Sequence, residues 1–510
     1  SALTSSGGTL AKLGAGTLTL TGSNTYTGTT TISSGTLQVG NGSTTGSLGS
    51  GAVTDNAELV LNRSDALTVA NAISGTGSLT QSGSGTLTVT GSNAYTGGTT
   101  LTAGTLNLGS SGAIGSTGTI TFGGGTLQYS ASNTTDYSGR FSTAVSQAYK
   151  LDTNSQAVTL ASALNSVGGA LTKLGAGTLT LTGTNTYDGG TTLTAGTLNL
   201  GSGDAIGSAG TITFGGGTLQ YSANNTTDYS GRFSTAASQA YKLDTNSQSV
   251  TLASALTSSS GTLTKLGAGT LTLTGANTYD GGTILTAGTL NLGSSGAIGS
   301  TGTISFGGGT LQYSANNTTD YSGRFSTAAS QAYSLDTNSQ SVTLASALTS
   351  SGGTLTKLGP GTLTLTGANT YTGTTTISSG TLQVGNGSTT GSLGSGAVTD
   401  NAELVLNRSD ALTVANAISG TGSLTQSGTG TAILTGANTY TGTTTISSGI
   451  LQVGNGSTTG SLGTGAVTNN TSLVFNRSNA LTVANAISGT GSLTQSGSAT
   501  LTVTGNNTYT

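Results

Sequence analysis

The amino-acid sequence predicts an all-β fold, a single-stranded parallel β-helix in which each turn of the chain stacks on the turn before it. Three observations predict this fold: one motif recurs along the whole chain, apolar residues alternate with polar ones inside it, and glycine-rich segments separate the alternating stretches. Hydrophobic residues make up 33% of the sequence, and 87 of the 510 residues are Gly. This composition fits a solenoid with a thin core of Leu, Val, Ile and Ala.

The spacing of the repeated motif, Gly-Thr-Leu-Thr-Leu-Thr-Gly-x-Asn-Thr-Tyr, predicts the length of one turn. Its Asn occurs at intervals of 69 or 92 residues, and both intervals are whole multiples of 23. We therefore expect about 23 residues per turn and about 22 turns. Each repeat unit begins at one of these residues: Asn24, Asn93, Asn185, Asn277, Asn369, Asn438 and Asn507.

Strands and corners follow from the local pattern within each unit. The stretch from Thr17 to Thr21 reads Thr-Leu-Thr-Leu-Thr, and the alternation continues from Thr36 to Val39, so apolar side chains would point inward and polar ones outward. Gly40-Asn41-Gly42 and Gly123-Gly124-Gly125 supply the backbone freedom that corners need. Two-residue hairpin turns are scarce, which argues against a sandwich or a propeller.

The whole chain, residues 1–510, is predicted to form one continuous rod and to be a stretch of a longer array. It would contain 69-residue units of three turns and 92-residue units of four turns. The unit from Asn185 to Ala276 and the unit from Asn277 to Ala368 align without a gap and differ at eight positions. Such close copies indicate that length was gained without evident new chemistry.

The composition excludes most enzyme mechanisms. His, Cys, Met and Trp are absent, which removes the commonest general base, the thiol nucleophile and the soft metal ligands. We expect no enzyme, no catalytic or metal-binding residue and no cofactor. A net charge of -3, from 12 basic and 15 acidic residues without a basic stripe, argues against a nucleic-acid partner. No apolar run is long enough for a membrane-spanning helix.

The segment from Gly14 to Leu37, GAGTLTLTGSNTYTGTTTISSGTL, resembles the autotransporter-associated β-strand repeat found in passenger regions of bacterial type V secreted proteins. Copies or near copies begin before each of the seven motif Asn residues. The resemblance implies a right-handed β-helix located outside the cell, either attached to the bacterial outer membrane or secreted. The lack of Cys would suit passage through an outer-membrane pore in the unfolded state.

Charged residues recur in the 92-residue units and are the first candidates for a site. Two carboxylates could perform acid–base chemistry on a glycan. However, Asp136 and Asp152 are sixteen residues apart, and the same set occurs three times, once with Ser in place of Lys. We favour structural or solvating roles over ligand contact. The set comprises Asp136, Arg140, Lys150 and Asp152, then Asp228, Arg232, Lys242 and Asp244, then Asp320, Arg324, Ser334 and Asp336.

Aromatic residues concentrate in the same units. If exposed, they could stack on sugars, and repetition would add avidity; the favoured alternative is that they close or cover the thin core. The Tyr of each Asn-Thr-Tyr, such as Tyr26, is expected to cover a corner. The set comprises Phe122, Tyr129, Tyr137, Phe141 and Tyr149, then Phe214, Tyr221, Tyr229, Phe233 and Tyr241.

Outward Thr residues raise the idea of an ice-binding face. Thr17, Thr19 and Thr21 lie in one turn, but Gln38 and Glu58 interrupt the expected ladder on the following turns. Thr is also simply a good residue for a strand surface. Calcium sites are not expected, because the Gly-Gly-x-Gly-x-Asp nonapeptide of calcium-binding β-rolls is missing.

These observations predict a structural protein: a stalk or fibre segment of an autotransporter-like protein that provides reach, stiffness and adhesion or self-association into fibres or bundles. The alternative is a repetitive glycan-binding adhesin surface that uses the aromatic and charged residues of the 92-residue units to contact host or neighbouring cells. An ice-binding Thr face and a β-helical polysaccharide-degrading enzyme come third.

Overall fold

The predicted fold class is confirmed by a computed structural model that describes residues 1–509. The chain is an all-β parallel solenoid of about 24 turns, about 21 residues apart. The helices found in this range are three short 3-10 helices, and none of them is long or apolar enough to cross a membrane. They are Ser138–Arg140, Ser230–Arg232 and Ser322–Arg324.

The N-terminal part of the chain, Ser1–Gln248, is one of two compact parts. Its strands are β1 (Leu10–Lys12), β2 (Thr17–Leu20), β3 (Thr30–Ile32), β4 (Thr36–Val39), β5 (Val53–Asp55), β6 (Glu58–Leu61), β7 (Leu67–Val69), β8 (Ile73–Ser74), β9 (Ser78–Gln81), β10 (Thr86–Val89), β11 (Thr99–Leu101), β12 (Thr105–Leu108), β13 (Ile120–Phe122), β14 (Thr126–Gln128), β15 (Ala148–Asp152), β16 (Ala157–Leu160), β17 (Ala170–Leu174), β18 (Thr178–Leu181), β19 (Thr191–Leu193), β20 (Thr197–Leu200), β21 (Ile212–Phe214), β22 (Thr218–Gln220) and β23 (Ala240–Asp244). One sheet has the order β1-β3-β5-β8, a second β13-β11-β9-β6-β4-β2 and a third β21-β19-β17-β15-β14-β12-β10-β7. Strands β16, β18, β20, β22 and β23 pair in that order in a further sheet.

The C-terminal part, Ser249–Thr510, repeats this construction. Its strands are β24 (Ser249–Leu252), β25 (Thr262–Leu266), β26 (Thr270–Leu273), β27 (Thr283–Leu285), β28 (Thr289–Leu292), β29 (Ile304–Phe306), β30 (Thr310–Gln312), β31 (Ala332–Asp336), β32 (Ser341–Leu344), β33 (Thr354–Leu358), β34 (Thr362–Leu365), β35 (Thr375–Ile377), β36 (Thr381–Val384), β37 (Val398–Asp400), β38 (Glu403–Leu406), β39 (Leu412–Val414), β40 (Ile418–Ser419), β41 (Ser423–Gln426), β42 (Thr431–Leu434), β43 (Thr444–Ile446), β44 (Ile450–Val453), β45 (Val467–Asn469), β46 (Ser472–Phe475), β47 (Leu481–Val483), β48 (Ile487–Ser488), β49 (Ser492–Gln495) and β50 (Leu501–Val503). Its largest sheet has the order β24-β26-β28-β30-β31-β33-β35-β37-β40.

Stacking of like residues on consecutive turns builds the core. In the second sheet Leu18 pairs with Leu37, Leu37 with Leu59, and Leu59 with Leu79. The last three of these side chains are buried. The Thr residues between them point outward, as the alternation predicts, so the interior is a column of aliphatic side chains.

The length of a turn differs from the prediction. Thr36 stacks on Thr17, whereas Lys150 stacks on Thr126, so the step from one turn to the next is not constant. Successive copies of the motif strand do not return to the same sheet: β2 lies in the second sheet, β10 in the third and β18 in the sheet that begins with β16. Each unit therefore contains whole turns plus one step to the neighbouring sheet. The prediction of about 23 residues per turn was wrong for this reason.

Glycine at a corner is required where two turns approach closely. Gly35 has a φ of 68°, and a Cβ there would lie 2.5 Å from the carbonyl oxygen of Gly16 on the turn before. The corner predicted at Gly40 behaves in the same way, with a φ of 81°. The prediction of one continuous rod stays a prediction, and Thr510 lies outside the described residues.

Candidate functional site

The Asn-Thr-Tyr of the repeated motif is a buried corner that joins three turns. The side chain of Asn185 accepts a hydrogen bond from the backbone N of Leu164 on the turn before (2.7 Å) and donates one to the carbonyl of Ala205 on the turn after (2.5 Å). The hydroxyl of Tyr187 lies 2.8 Å from Oγ1 of Thr191. The side-chain amide of Asn185 therefore makes the two hydrogen bonds that a backbone peptide group in a strand would make to the neighbouring turns. The same bonds to both neighbouring turns recur at Asn24, Asn93, Asn277, Asn369 and Asn438.

The aromatic residues of the 92-residue units are buried, so the platform for sugar stacking is not available. The rings of Phe122 and Phe141 meet edge to face with centroids 4.9 Å apart, and Tyr149 packs against both. Tyr137 is 6% exposed and Tyr129 is fully buried. The prediction that these side chains close the core is confirmed, and their counterparts in the next unit are equally buried.

The arginines of these units fasten one turn to the loop of the turn before it. Nε of Arg140 donates to the carbonyl of Gly118 (2.8 Å), and the two terminal nitrogens donate to Gly115 and Thr117 (2.5 Å each). The guanidinium also lies 5.6 Å from the ring centroid of Tyr137. Partial burial lowers the pKa of Arg140. Arg232 and Arg324 make the same contacts in the later copies.

The two carboxylates proposed for acid–base work are engaged by donors within the solenoid. Oδ1 of Asp136 accepts from the backbone N and the hydroxyl of Ser138, and its Oδ2 accepts from the backbone N of Ala161 (2.8 Å). Asp152 accepts from Nε2 of Gln128 (2.8 Å) and from the backbone N of Asn154 (2.8 Å). Both carboxylates hold neighbouring turns together, which matches the structural role that the sequence favours.

A second set of basic side chains was not identified from the sequence. Lys173 is fully buried, and its Nζ donates to the carbonyls of Leu174 (2.8 Å), Gly175 (2.7 Å) and Ala195 (3.1 Å). Burial lowers its pKa to about 8. At the matching position of a 69-residue unit, Gln81 donates to Gly83 (2.8 Å) instead. Inward and outward side chains alternate along this strand. Counting from the inward Leu171 places Lys173 inside, so the sequence did contain the signal for this residue.

All 12 basic side chains of the chain donate hydrogen bonds to backbone carbonyls. Arg63, for example, binds the carbonyls of Thr44 and Gly46 in addition to the carboxylate of Asp65, which lies 2.6 Å away. Every basic side chain therefore uses at least one of its donors within the chain itself. The full set is Lys12, Arg63, Arg140, Lys150, Lys173, Arg232, Lys242, Lys265, Arg324, Lys357, Arg408 and Arg477.

Open clefts lie beside the arginines of the 92-residue units. Their volumes are about 470, 620 and 640 Å³. In the first unit the cleft is lined by Gly118, Thr119 and residues 139–144, whose one charged group is the guanidinium of Arg140. Because that guanidinium is already bound to three carbonyls, the clefts offer mainly backbone and hydroxyl groups.

Acidic side chains and outward Thr side chains are the two remaining candidates for a site. Within residues 1–509 no group of three acidic residues is placed to hold a metal ion. Thr19 pairs with Gln38 and Gln38 with Val60, while Thr36 pairs with Glu58, so the ladder that begins at Thr19 is interrupted as predicted. A short ladder of Thr80, Thr100 and Thr121 occurs further along the same sheet.

Comparisons with known proteins agree with this architecture. The chain is 39% identical over 161 residues to the adhesin BmaC autotransporter of Brucella suis biovar 1 (strain 1330), a match that covers 28% of this chain and 5% of that protein. The chain thus corresponds to a small fraction of that relative's length. No solved structure matches significantly.

The model of the passenger-associated-transport-repeat family matches residues 10–39, 79–108, 171–200, 263–292, 355–384, 424–453 and 493–510. Each match contains a motif strand such as β2 or β10, and the first six continue through the corner that follows it. The resemblance to autotransporter passenger repeats is confirmed: seven segments of the chain match the passenger-associated-transport-repeat model.

Proposed function

We propose that this region is the spacer of an autotransporter passenger, a stiff segment that carries other parts of the protein away from the bacterial surface. Passenger repeats imply a cell-surface or secreted protein. The observation that carries the proposal is the use of all 12 basic side chains to bind carbonyls of the chain itself. A repeat built in this way devotes its charge to continuity between turns.

Burial of the aromatic residues supports the same conclusion. Side chains that could bind a sugar by stacking, such as Phe141 and Tyr149, fill the core instead. His and Cys are absent, and Asp136 and Asp152 are occupied by neighbouring groups, which supports a non-enzymatic role.

A weaker adhesive role is the second candidate, because the relative from Brucella is named an adhesin. One set of exposed loops that would suit such a role is uncharged. The loop Asn41–Thr45 is exposed throughout and contains only Asn, Gly, Ser and Thr, and the same residues recur at 386–390 and 455–459. These loops would fit an uncharged hydroxyl-rich partner such as a neutral glycan, or a second copy of the chain.

The spacer role is tested by removing one unit, residues 277–368, and measuring the maximum dimension by small-angle X-ray scattering. Neighbouring turns in a parallel solenoid are about 4.8 Å apart, so removal of about 4.4 turns should shorten the particle by about 21 Å. An unchanged maximum dimension would contradict the spacer role.

The adhesive role is tested with the same two proteins on immobilised neutral and acidic polysaccharides. We expect no binding to acidic polysaccharides, since the net charge is -3 and each basic side chain already donates to a backbone carbonyl. Binding of the full segment to a neutral polysaccharide, reduced in the deletion variant, would favour the second candidate. Depolymerisation of either polysaccharide would contradict a non-enzymatic role.

A further inference from the structure

Two buried carboxyl groups in the 69-residue units lack a partner on one oxygen. Asp55, at the end of β5, is 1% exposed; its Oδ1 accepts from the backbone N of Ala57 (3.0 Å), whereas its buried Oδ2 has no hydrogen-bond partner. Asp400, at the end of β37, has the same arrangement, with Oδ1 3.1 Å from the backbone N of Ala402. An ionised carboxylate with an unpartnered buried oxygen is costly.

The third copy of this position shows what the site requires. Asn469 stands there; its Oδ1 accepts from the backbone N of Thr471 (3.3 Å), and its Nδ2 donates to the carbonyl of Ser492 (2.8 Å). The first bond matches that of Asp55 to Ala57. The second requires a donor at the position that Oδ2 occupies in the Asp copies.

A protonated carboxyl group has nearly the same shape as a carboxamide and likewise places a donor beside an acceptor oxygen, although its hydroxyl supplies one proton where the amide nitrogen supplies two. The carbonyl that corresponds to that of Ser492 is Ser78 for Asp55 and Ser423 for Asp400. The glycine above each carboxyl leaves no spare room, because a Cβ on Gly77 would lie 2.3 Å from Oδ1 of Asp55. Direct donation to the carbonyl is therefore favoured over a bridging water.

We propose that Asp55 and Asp400 are held in the folded chain as neutral acids, each donating its proton to the serine carbonyl of the next turn. Two turns of the solenoid then depend on protonation, and the equivalent turn at Asn469 does not. The device is a proton-sensitive joint between neighbouring turns.

The surroundings support this assignment. Burial raises the pKa of both carboxyls to about 6, and the nearby carboxylates of Glu58 and Glu403 add to the rise. Backbone hydrogen bonds from Ala57 to Asp55, and from Ala402 and Leu404 to Asp400, act in the opposite direction and are outweighed. The hydroxyl of Tyr440 is the other titratable group that interacts with Asp400. Within residues 1–509 no basic side chain offsets the charge of either carboxyl.

The direction of the pH effect follows from linkage. Between the ordinary pKa of 3.8 and a folded-state pKa of about 6, the folded chain binds the proton and the unfolded chain does not. The stabilisation is therefore complete below about pH 3.8, decreases as the pH rises, and is lost above a pH of about 6. Each carboxyl should change the local opening equilibrium about tenfold between about pH 8 and about pH 5.

The test compares the wild-type chain with the D55N/D400N double variant by difference infrared spectroscopy. The wild type should show the carbonyl stretch of a protonated carboxylic acid at about pH 5 that disappears by about pH 8. The double variant should lack that band. If the band is absent from the wild type, or unchanged in the double variant, the proposal is wrong.

Hydrogen exchange supplies an independent readout with an internal reference. After correction for intrinsic rates, protection of the Ala57 amide should fall about tenfold relative to the Thr471 amide as the pH rises from about 5 to about 8. D55N should remove that change, and N469D should introduce it at Thr471. An equal response of both amides in the wild type would overturn the proposal without requiring any variant to fold.

Discussion

A buried tyrosine hydroxyl without a partner occurs once in each 92-residue unit. Tyr129 is fully buried and its hydroxyl has no hydrogen-bond partner, as at Tyr221 and Tyr313. Tyr149 is equally buried, but its hydroxyl donates to the carbonyl of Ser142 (2.8 Å). Both are buried tyrosines of the same unit, and they differ in whether the hydroxyl has a hydrogen-bond acceptor, so each serves as a control for the other.

Replacing each of the two tyrosines by Phe should have different effects on stability. Tyr129→Phe removes an unsatisfied polar group and should be neutral or stabilising by up to about 1 kcal/mol, whereas Tyr149→Phe should cost about 1 kcal/mol or more because the carbonyl of Ser142 loses its donor. Protection of amides in this unit against hydrogen exchange measures both changes. A clear loss of protection in Tyr129→Phe would indicate a hidden partner for its hydroxyl.

At the level of single residues, the sequence predicted which side chains are structural better than what they contact. Alternation and repetition indicated that Phe122 and Tyr149 close the core and that Asp136 serves the fold. The carbonyl acceptors of Arg140 could not be predicted, because they lie more than twenty residues away and are brought close by stacking of turns. The neutral acid at Asp55 is visible only once its depth is known.

At the scale of the elements, the segment between β14 and β15 of the 92-residue unit interrupts a sheet. Aromatic packing takes the place of a strand there. The second sheet ends at β13, and Phe141 forms an isolated bridge with Ile120 above it. The backbone N of Ser142 donates to Ile120 (2.8 Å), while that of Phe122 donates to the side chain of Gln147 (2.9 Å). Ring contacts thus stabilise a turn that has few ladder hydrogen bonds.

Phe141→Ala should open this turn locally. Loss of a buried Phe costs about 3–5 kcal/mol, and in a solenoid each turn contacts only its neighbours, so the effect should fade within a turn or two. Hydrogen exchange at the amides of Ser142 and Phe122 reports the change. Val145→Ala, which alters a 71% exposed side chain in the same loop, is the control. Loss of protection throughout the chain would show that stability is not local.

Strands and corners were predicted well because both depend on local sequence. The Thr-Leu alternation located β2 nearly to the residue, and Gly40 has the positive φ expected of a corner. The corner at Asn185 was noticed for its spacing, but its role was missed, because the bonds of its amide to two other turns are not encoded locally.

At the scale of the whole molecule, the length of the sequence repeat is not a whole multiple of the length of one turn. Arithmetic on 69 and 92 suggested about 23 residues per turn, yet turns are about 21 residues apart. The remainder arises because each unit advances to the neighbouring sheet before the motif recurs. Sequence spacing alone contains no information on this fractional step.

Two deletions test whether the fold tolerates the loss of a whole repeat unit better than the loss of 23 residues. Removal of residues 277–368 joins Ala276 to Asn369 and restores the motif, so the shortened chain should unfold with the midpoint of the parent. Removal of residues 277–299 deletes Asn277 and Tyr279 and leaves seven residues, instead of nine, between β26 and the next strand. We expect a lower urea midpoint for the second deletion, measured by circular dichroism. Equal midpoints for the two deletion variants would indicate that 23 residues do form one structural turn.

The step to a neighbouring sheet also limits how many of the clefts can contact one target at the same time. In the N-terminal part, Phe122 of the first 92-residue unit belongs to β13 in the second sheet, and Phe214 of the next unit belongs to β21 in the third. Their clefts therefore point in different directions and cannot rest together on one flat target. Avidity for a planar surface would have to come from several molecules side by side, whereas a flexible polymer could wind from one cleft to the next.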